Sequence, residues 1–395
     1  MSTPIIAGAV RTPIGAFMGA LSGVPATDLG AIVIREALNR AGVASDQVDD
    51  VLMGCILQGG LGQGPARQSA IAAGVPDTVP ATTINQLCGS GLRAVGMAAQ
   101  AIRAGDADVV VAGGMESMSR APHVAMLREG HRMGDVPMRD TLIADGLWCV
   151  LTDQHMGGTA EVVAERFGVS RDDQDAFAAE SQRLARMAME RDHFRDQIVP
   201  VPVPQRRGDP VLVHSDEHPR PDTTAESLGS LRPAFREGGT VTAGNASGIN
   251  DGAAAMVVLS EDRAAELGVQ PMGRILGYAW TGIAPEIMGF APVDAIRKAL
   301  DRAGIGIERV ELFEVNEAFA AQAVAVQREL GIGREVLNVN GGAIALGHPV
   351  GASGARILVT LLHEMQHREA RVGVAALCVG GGQGVAMVVE SLATS

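Results

Sequence analysis

The sequence predicts an α/β chain built as two related halves with a different region inserted between them. Three observations predict it. Short apolar runs alternate with amphipathic stretches along the chain, which reads as strand–helix units and favours largely parallel sheets. Residues 31–48 and 293–310 are identical at eight of eighteen positions, at a fixed offset of 262. Ser90-Gly91-Leu92-Arg93 is echoed by Ser353-Gly354-Ala355-Arg356 at an offset of 263. Two ordered matches at nearly one spacing are more than two amphipathic helices share by chance.

Taken in order, residues 4–10 form a short buried strand. The first repeat helix ends at Gly42 and leads into an apolar strand at 48–53. The second ends at Gly304 and leads into a strand at 310–315. A glycine adopts the left-handed helix cap at least cost. After Ser90, the residues Leu92, Val95, Ala99 and Ile102 recur at helical spacing, and a strand at 109–112 follows. After Ser353, residues 357–362 continue a helix, and a strand at 372–377 leads to Cys378. The domains expected are residues 1–119, continued by 246–270, for the first half, and 271–395 for the second. Residues 120–245 form an inserted loop domain, helical near 159–193 and proline-rich near 200–221, that covers the mouth of a site.

Composition narrows the function. A chain of 395 residues, 47% hydrophobic, has a sizeable core and two or three domains. The net charge of −13 argues against nucleic acid and against anionic membrane surfaces as partners. The single lysine, Lys298, lies mid-helix, so neither a Schiff base nor a lysine-bearing phosphate loop is expected. No apolar run reaches membrane-spanning length and the opening residues do not read as a secretory signal. Cys55, Cys88, Cys149 and Cys378 are far apart, with no C-x-x-C, which points to free thiols in a reducing, cytoplasmic compartment.

Two of these cysteines sit on glycine-rich loops. Cys88, in N-Q-L-C-G-S-G-L-R, stands at the mouth of a helix, where the helix terminus is expected to lower its pKa and make it a nucleophile. Cys378 ends a buried strand before Gly380-Gly381-Gly382, whose N–H groups suit a developing oxyanion. Cys55 and Cys149 have no such loop and are assigned to packing. His348 lies in N-V-N-G-G-A-I-A-L-G-H-P-V-G-A-S-G-A-R, five residues before the second echo motif, as Cys88 lies two before the first. Halves related by a pseudo-two-fold axis would bring these loops together. Asn316, after a strand, is either a neutral amide at the same face or a helix N-cap.

Together these blocks resemble the thiolase family: Asn85–Gly91, Asn316–Ala320, Asn338–Arg356 and Cys378–Gly384, in order, over essentially the whole chain. The resemblance implies a layered α-β-α-β-α fold with duplicated halves. It implies that Cys88 is acylated and that His348 takes its proton. Cys378 would move the proton of the second acetyl-CoA. Asn316 would hold a water that forms one oxyanion hole with His348, and the N–H groups of Cys88 and Gly380 would form another. The reaction would be the reversible, ping-pong condensation of two acetyl-CoA to acetoacetyl-CoA and CoA, with no cofactor beyond these thioester substrates and no metal.

His155-Met156 resembles the short-chain, biosynthetic branch, with Met288 and Phe319 completing the acyl pocket and Phe290 adding bulk beside it. Arg220, Ser227 and Ser247 match positions that contact coenzyme A there. The 125–140 loop, with Gly134-Asp135, resembles the arm that makes such enzymes homotetramers, dimers of dimers. Trp148 is a departure, a bulky residue beside the expected pantetheine wall. Two other readings stand beside this one: a broader 3-ketoacyl-CoA thiolase of β-oxidation, and a non-catalytic acyl-CoA-binding module. His363-Glu364-Met365-Gln366-His367 matches a zinc-protease signature but reads as a solvated helix end. The remaining histidines, His193 and His218 among them, show no ligand spacing.

Overall fold

The computed structural model describes residues 2–128 and 130–392. The expected domain bounds at 1 and 395, and Glu129 within the 125–140 arm, lie outside the described residues. The first half contains β1 (Pro4–Arg11), α1 (Ala26–Ala41), β2 (Asp50–Gly54), β3 (Ala81–Ile84), α2 (Ser90–Ala104) and β4 (Val109–Ser117). The region that follows carries α3 (Met156–Arg166) and α4 (Arg171–Glu190). The chain then returns as β5 (Asn250–Ser260). The second half contains β6 (Gly273–Gly282), α5 (Pro292–Ala303), β7 (Leu312–Val315), α6 (Ala320–Leu330), α7 (Ser353–His367), β8 (Val372–Val379) and β9 (Gln383–Ser391).

These strands form one sheet in the order β7-β8-β9-β6-β1-β5-β4-β2-β3, with Gly15–Ala16 added beside β5. The duplication is visible in that order: β2-β4-β5-β1 of the first half corresponds to β7-β8-β9-β6 of the second. The repeat helices α1 and α5 end on Gly42 and Gly304, at φ of 67° and 66°, where a side chain would be strained. The halves meet where β1 pairs antiparallel with β6 at Ile5↔Arg274 and Ile6↔Gly273.

The expectation of largely parallel sheets is overturned. Among the described strands of this sheet, the parallel pairs are β2–β3, β2–β4 and β7–β8, and the others are antiparallel. Alternation of strand and helix fixes a crossover only where a helix joins two neighbouring strands. The inner strands of each half return differently: β8 and β9 are joined by a tight turn, and β5 arrives after residues 118–249.

Five layers result. On the first half's outer face, Leu29, Val33 and Ile34 of α1 pack on the sheet. On the second half's outer face, α5 and α6 pack through Ile296, Leu300 and Val324. Between the halves lie α2 and α7, whose Leu92, Val95, Ile102, Ile357, Leu358 and Leu361 share one core with inward strand residues of both halves. Each of these is at most 1% exposed, worth about 1.5–3 kcal/mol per side chain.

The two central helices cross at their first turns. A Cβ on Gly91 would meet Ala355 N at 2.7 Å, and one on Gly354 would run into the backbone N of Leu92. The glycine in each S-G-x-R motif is therefore required by its counterpart. Among the described residues of 118–249, none adds a strand to the large sheet; α3 and α4 pack against α6 and the loop before α7 instead.

Candidate active site

Cys88 and Asn316 follow the carboxyl ends of strands, Cys378 lies in the last residues of β8, and His348 lies in the turn between the short helix Ala343–Leu346 and α7. Cys88 follows β3 and precedes α2, and it is partly exposed. Leu87 beside it holds a positive φ of 48°, a conformation that non-glycine residues adopt at a cost. Ser90 supports this turn: its hydroxyl accepts from Gln86 N at 2.8 Å and donates to Leu87 O at 2.7 Å. The sequence expectation of a lowered thiol pKa is overturned. Burial pushes Cys88 up to about 11, outweighing donation from the Gly380 N–H and from its own.

His348 sits in the turn before α7 and is buried. Its backbone N–H donates to Asn250 Oδ1 at 2.9 Å. Its Nδ1 lies 2.6 Å from Ser353 Oγ, which also donates to Pro349 O at 2.9 Å. The hydroxyl has one proton and two acceptors within reach; with that proton on Pro349, Nδ1 carries the imidazole proton and Nε2 is the acceptor. Burial, assisted by Arg356, pushes His348 down to about 3, so the ring is a neutral base at physiological pH. Val350, two residues on, packs with Leu87 and Cys88, so the two loops lie against each other.

Cys378 is fully buried near the end of β8. Burial raises its thiol far above the ordinary range, and the nearby Cys88 adds to this. The loops touch directly: a Cβ on Gly380 would meet Leu87 Cδ1 at 2.8 Å, and one on Gly89 would meet Val379 at 2.8 Å. Asn316 directly follows β7 and is 1% exposed. It is not a helix N-cap, since α6 begins at Ala320 after Phe319. Neither polar atom of its amide has a partner among the described residues. Both are free to bind a water or a substrate oxygen.

Met156, Met288 and Phe319 join Cys378 in one apolar cluster. His155 caps α3 by accepting from Gly157 N at 3.0 Å, and its ring stacks on Phe235 at 4.8 Å. Arg220 and Ser227 line a cavity of about 240 Å³ with His218 and Gln182. Ser247 lies apart from that cavity, next to the apolar cluster, with its N–H on Ala318 O at 2.9 Å. Phe290 departs from its expected place: it stacks on Phe167 at 4.0 Å, in the core under α5 and α6, and adds no bulk beside Met288. Trp148 pairs across from His155 in a two-stranded ribbon, is 40% exposed, and donates to Asp153 at 3.2 Å. It is a rim residue rather than a wall. The H-E-x-x-H helix end is not wholly solvated either, since His363 is buried with Nε2 at 3.0 Å from Ala9 O.

Comparison with known proteins shows the family of the chain. Residues 4–262 match the family profile "Thiolase, N-terminal domain", and residues 269–391 match "Thiolase, C-terminal domain". The chain is 55% identical to an acetyl-CoA acetyltransferase of Thiocystis violacea, over 99% of each chain. It is 56% identical to one of Chromobacterium violaceum, over 98% of each. The crystal structure of the Bacillus anthracis acetyl-CoA acetyltransferase superposes with a TM-score of 0.97 at 47% identity, covering 99% of both chains. The chain belongs to the thiolase family.

Several residues that position the thiolase loops were not singled out by the sequence, although Glu317 stands inside the Asn316–Ala320 block. Glu116, fully buried on β4, accepts from Ile56 N and Leu57 N at 3.1 Å each and from Gly351 N at 2.9 Å. It ties the loop after β2 to the loop of His348, and burial pushes it up to about 7. Glu317 accepts from Ser181 Oγ at 2.6 Å and Asn338 Nδ2 at 2.8 Å, which fixes the start of the His348 block to α4. Phe235, Asn250 and His218 complete the set. Their partners are remote in sequence, 235 residues in the case of Glu116 and Gly351, so no local pattern could announce them. The one available signal was Ser353, five residues from His348 and equivalent to Ser90.

Proposed function

We propose that this thiolase catalyses the reversible condensation of two acetyl-CoA to acetoacetyl-CoA and CoA through an acyl-Cys88 intermediate. The observation that carries it is the meeting of three loops: Cys88 accepts from the Gly380 N–H and lies near Cys378, and Val350, two residues from the neutral imidazole of His348, packs on Leu87 and Cys88. Relatives at 52–56% identity are named acetyl-CoA acetyltransferases, which supports the substrate.

In this reading His348 takes the Cys88 proton as the thiolate attacks the acetyl thioester. The carbonyl π electrons move to oxygen, where the N–H groups of Cys88 and Gly380 stabilise them. Collapse breaks the bond to the CoA sulfur, which leaves with the proton of the Cys378 thiol, while His348 keeps the proton it took from Cys88. A second acetyl-CoA then loses a methyl proton to the Cys378 thiolate so formed. Burial that raises the Cys378 pKa makes its thiolate a stronger base, which suits a weak C–H acid. The enolate oxygen accepts from protonated His348 and from a water on Asn316. The carbanion attacks acyl-Cys88, the C–C bond forms, the C–S bond breaks, and His348 returns its proton to Cys88.

The apolar cluster of Met156, Met288, Phe319 and Phe235 against Cys378 supports a short acyl group. Arg220 and Ser227, at their cavity, would receive the nucleotide end of coenzyme A, with Ser247 nearer the pantetheine. No helix among the described residues is long and apolar enough to cross a membrane, and the four cysteines are free, which supports a cytoplasmic setting. The His123–Val124/Arg139–Asp140 hairpin leads to exposed Met126, Leu127, Met133 and Met138, a surface suited to assembly into a homotetramer.

Thiolysis of 3-ketoacyl-CoA thioesters of increasing chain length, followed by loss of enolate absorbance, tests the reading. A rate confined to acetoacetyl-CoA is expected. Comparable rates on long chains would move the protein to the broad-range class, and no rate on any chain would make it an acyl-CoA-binding module.

A further inference from the structure

One cluster of ligating side chains lies well away from the acyl-transfer chemistry. His193 follows the C-terminal turn of α4, and Glu364 and His367 stand one turn apart at the end of α7. Glu364 Oε2 is 3.4 Å from His193 Nδ1 and 3.7 Å from His367 Nδ1. All three atoms lie within 4.8 Å of one another. His193 Nδ1 is shielded from solvent and makes no hydrogen bond among the described residues. The two rings meet edge to face at 5.2 Å.

These spacings suit a metal ion. Ligands held about 2.0–2.2 Å from a tetrahedral zinc ion stand roughly 3.4 Å apart. The two distances to Glu364 are already near that. The His193–His367 pair closes by a small rotation of His367, whose side chain is 34% exposed. The carboxylate is oriented by outer partners: Asn340 Nδ2 donates to Oε2 at 2.6 Å and Arg368 Nε to Oε1 at 2.5 Å. Asp196 borders the same open cavity and offers a further oxygen. Arg191 and Arg195 also face it, so charge alone does not attract a hard cation. Two imidazoles favour a borderline ion such as zinc over calcium or magnesium.

We propose that His193, Glu364 and His367 bind one zinc-class divalent cation, which clamps the end of α4 to the end of α7. The clamp joins the inserted region to the second half, and through Asn340 it reaches the loop that carries His348. This departs from the expectation that the chain holds no metal. The H-E-x-x-H spacing pointed to the wrong pair, since His363 turns inward to Ala9. The partner of His367 comes instead from 174 positions earlier (367 − 193).

The test uses the full-length protein, stripped with a chelator and then titrated with zinc or cobalt by calorimetry and by thermal melting near pH 7.5. One ion per chain and a raised melting temperature are expected. In the His193→Ala/His367→Ala variant binding should weaken about 100-fold or more, and the thermal shift should vanish. Both side chains are partly exposed, so the variant should fold, with wild-type thiolysis in the absence of metal as the control. Wild-type protein that takes up no metal overturns the proposal. So does uptake that the variant retains, which would place the ion on the thiols. A histidine-dependent thermal shift with inorganic phosphate but not with zinc would make the cluster an anion site and overturn it as well.

Discussion

Ser353 Oγ lies 2.6 Å from His348 Nδ1 and 2.9 Å from the Pro349 carbonyl. One hydroxyl thereby holds the plane of the imidazole, and with its proton on Pro349 it selects the tautomer in which Nε2 is the acceptor. The first half holds the counterpart, since Ser90 braces the turn that carries Cys88. Ser353→Ala should remove this selection without disturbing the substrate pocket. A fall of about 10- to 100-fold in kcat for acetoacetyl-CoA thiolysis is expected, the loss of one buried hydrogen bond at about 1.4–2.7 kcal/mol, with KM little changed. Wild-type kcat would show that the ring is held by other contacts.

Cys88 sits at about 11 because burial outweighs the N–H donors around it, and buried Glu116 adds to the upward shift. The sign follows directly: a raised thiol pKa means less thiolate at neutral pH. The rate of Cys88 alkylation by iodoacetamide in the free enzyme should climb about tenfold per pH unit from pH 7 to 9. Glu116→Gln removes a nearby negative charge and should raise the rate at pH 8. A plateau near neutral pH would instead reveal a resting thiolate–imidazolium pair.

Cys378 and Cys88 divide the proposed reaction, so their variants should fail at different steps. Cys378→Ala should still form acyl-Cys88 from acetyl-CoA, detected by mass spectrometry, while condensation drops by about 10²–10⁴, the usual worth of a positioned acid–base group. Cys88→Ala should not be acylated at all. Full turnover by Cys378→Ala would remove that thiol from the mechanism.

Gly354 is fixed by the helix crossing. Gly354→Ala drives a methyl into the first turn of α2, and overpacking of this kind costs about 1–3 kcal/mol or more. A drop of several degrees in melting temperature is expected. Gly23→Ala, whose Cβ would meet nothing within 4 Å, is the matched control and should melt like the wild type.

Much of this protein is settled by its sequence. The duplicated S-G-x-R motifs, the glycine-capped repeat helices and the loops of Cys88, His348 and Cys378 are local features. Each depends on a few neighbouring residues whose conformational needs are visible as residue types. Tertiary structure alone decided three other things. The sheet is mostly antiparallel, because strand neighbours are chosen by the closing of each half and not by chain order. The thiol of Cys88 is raised, because desolvation depends on what is packed around it and a helix terminus in sequence gives no measure of that. Glu116 bridges two loops, Phe290 faces away from the acyl pocket, and His193 meets His367, because these contacts join residues far apart in the chain. Hydrogen bonding and burial act through space, so residue spacing can nominate the chemistry of a loop but cannot state which distant side chain holds it in place.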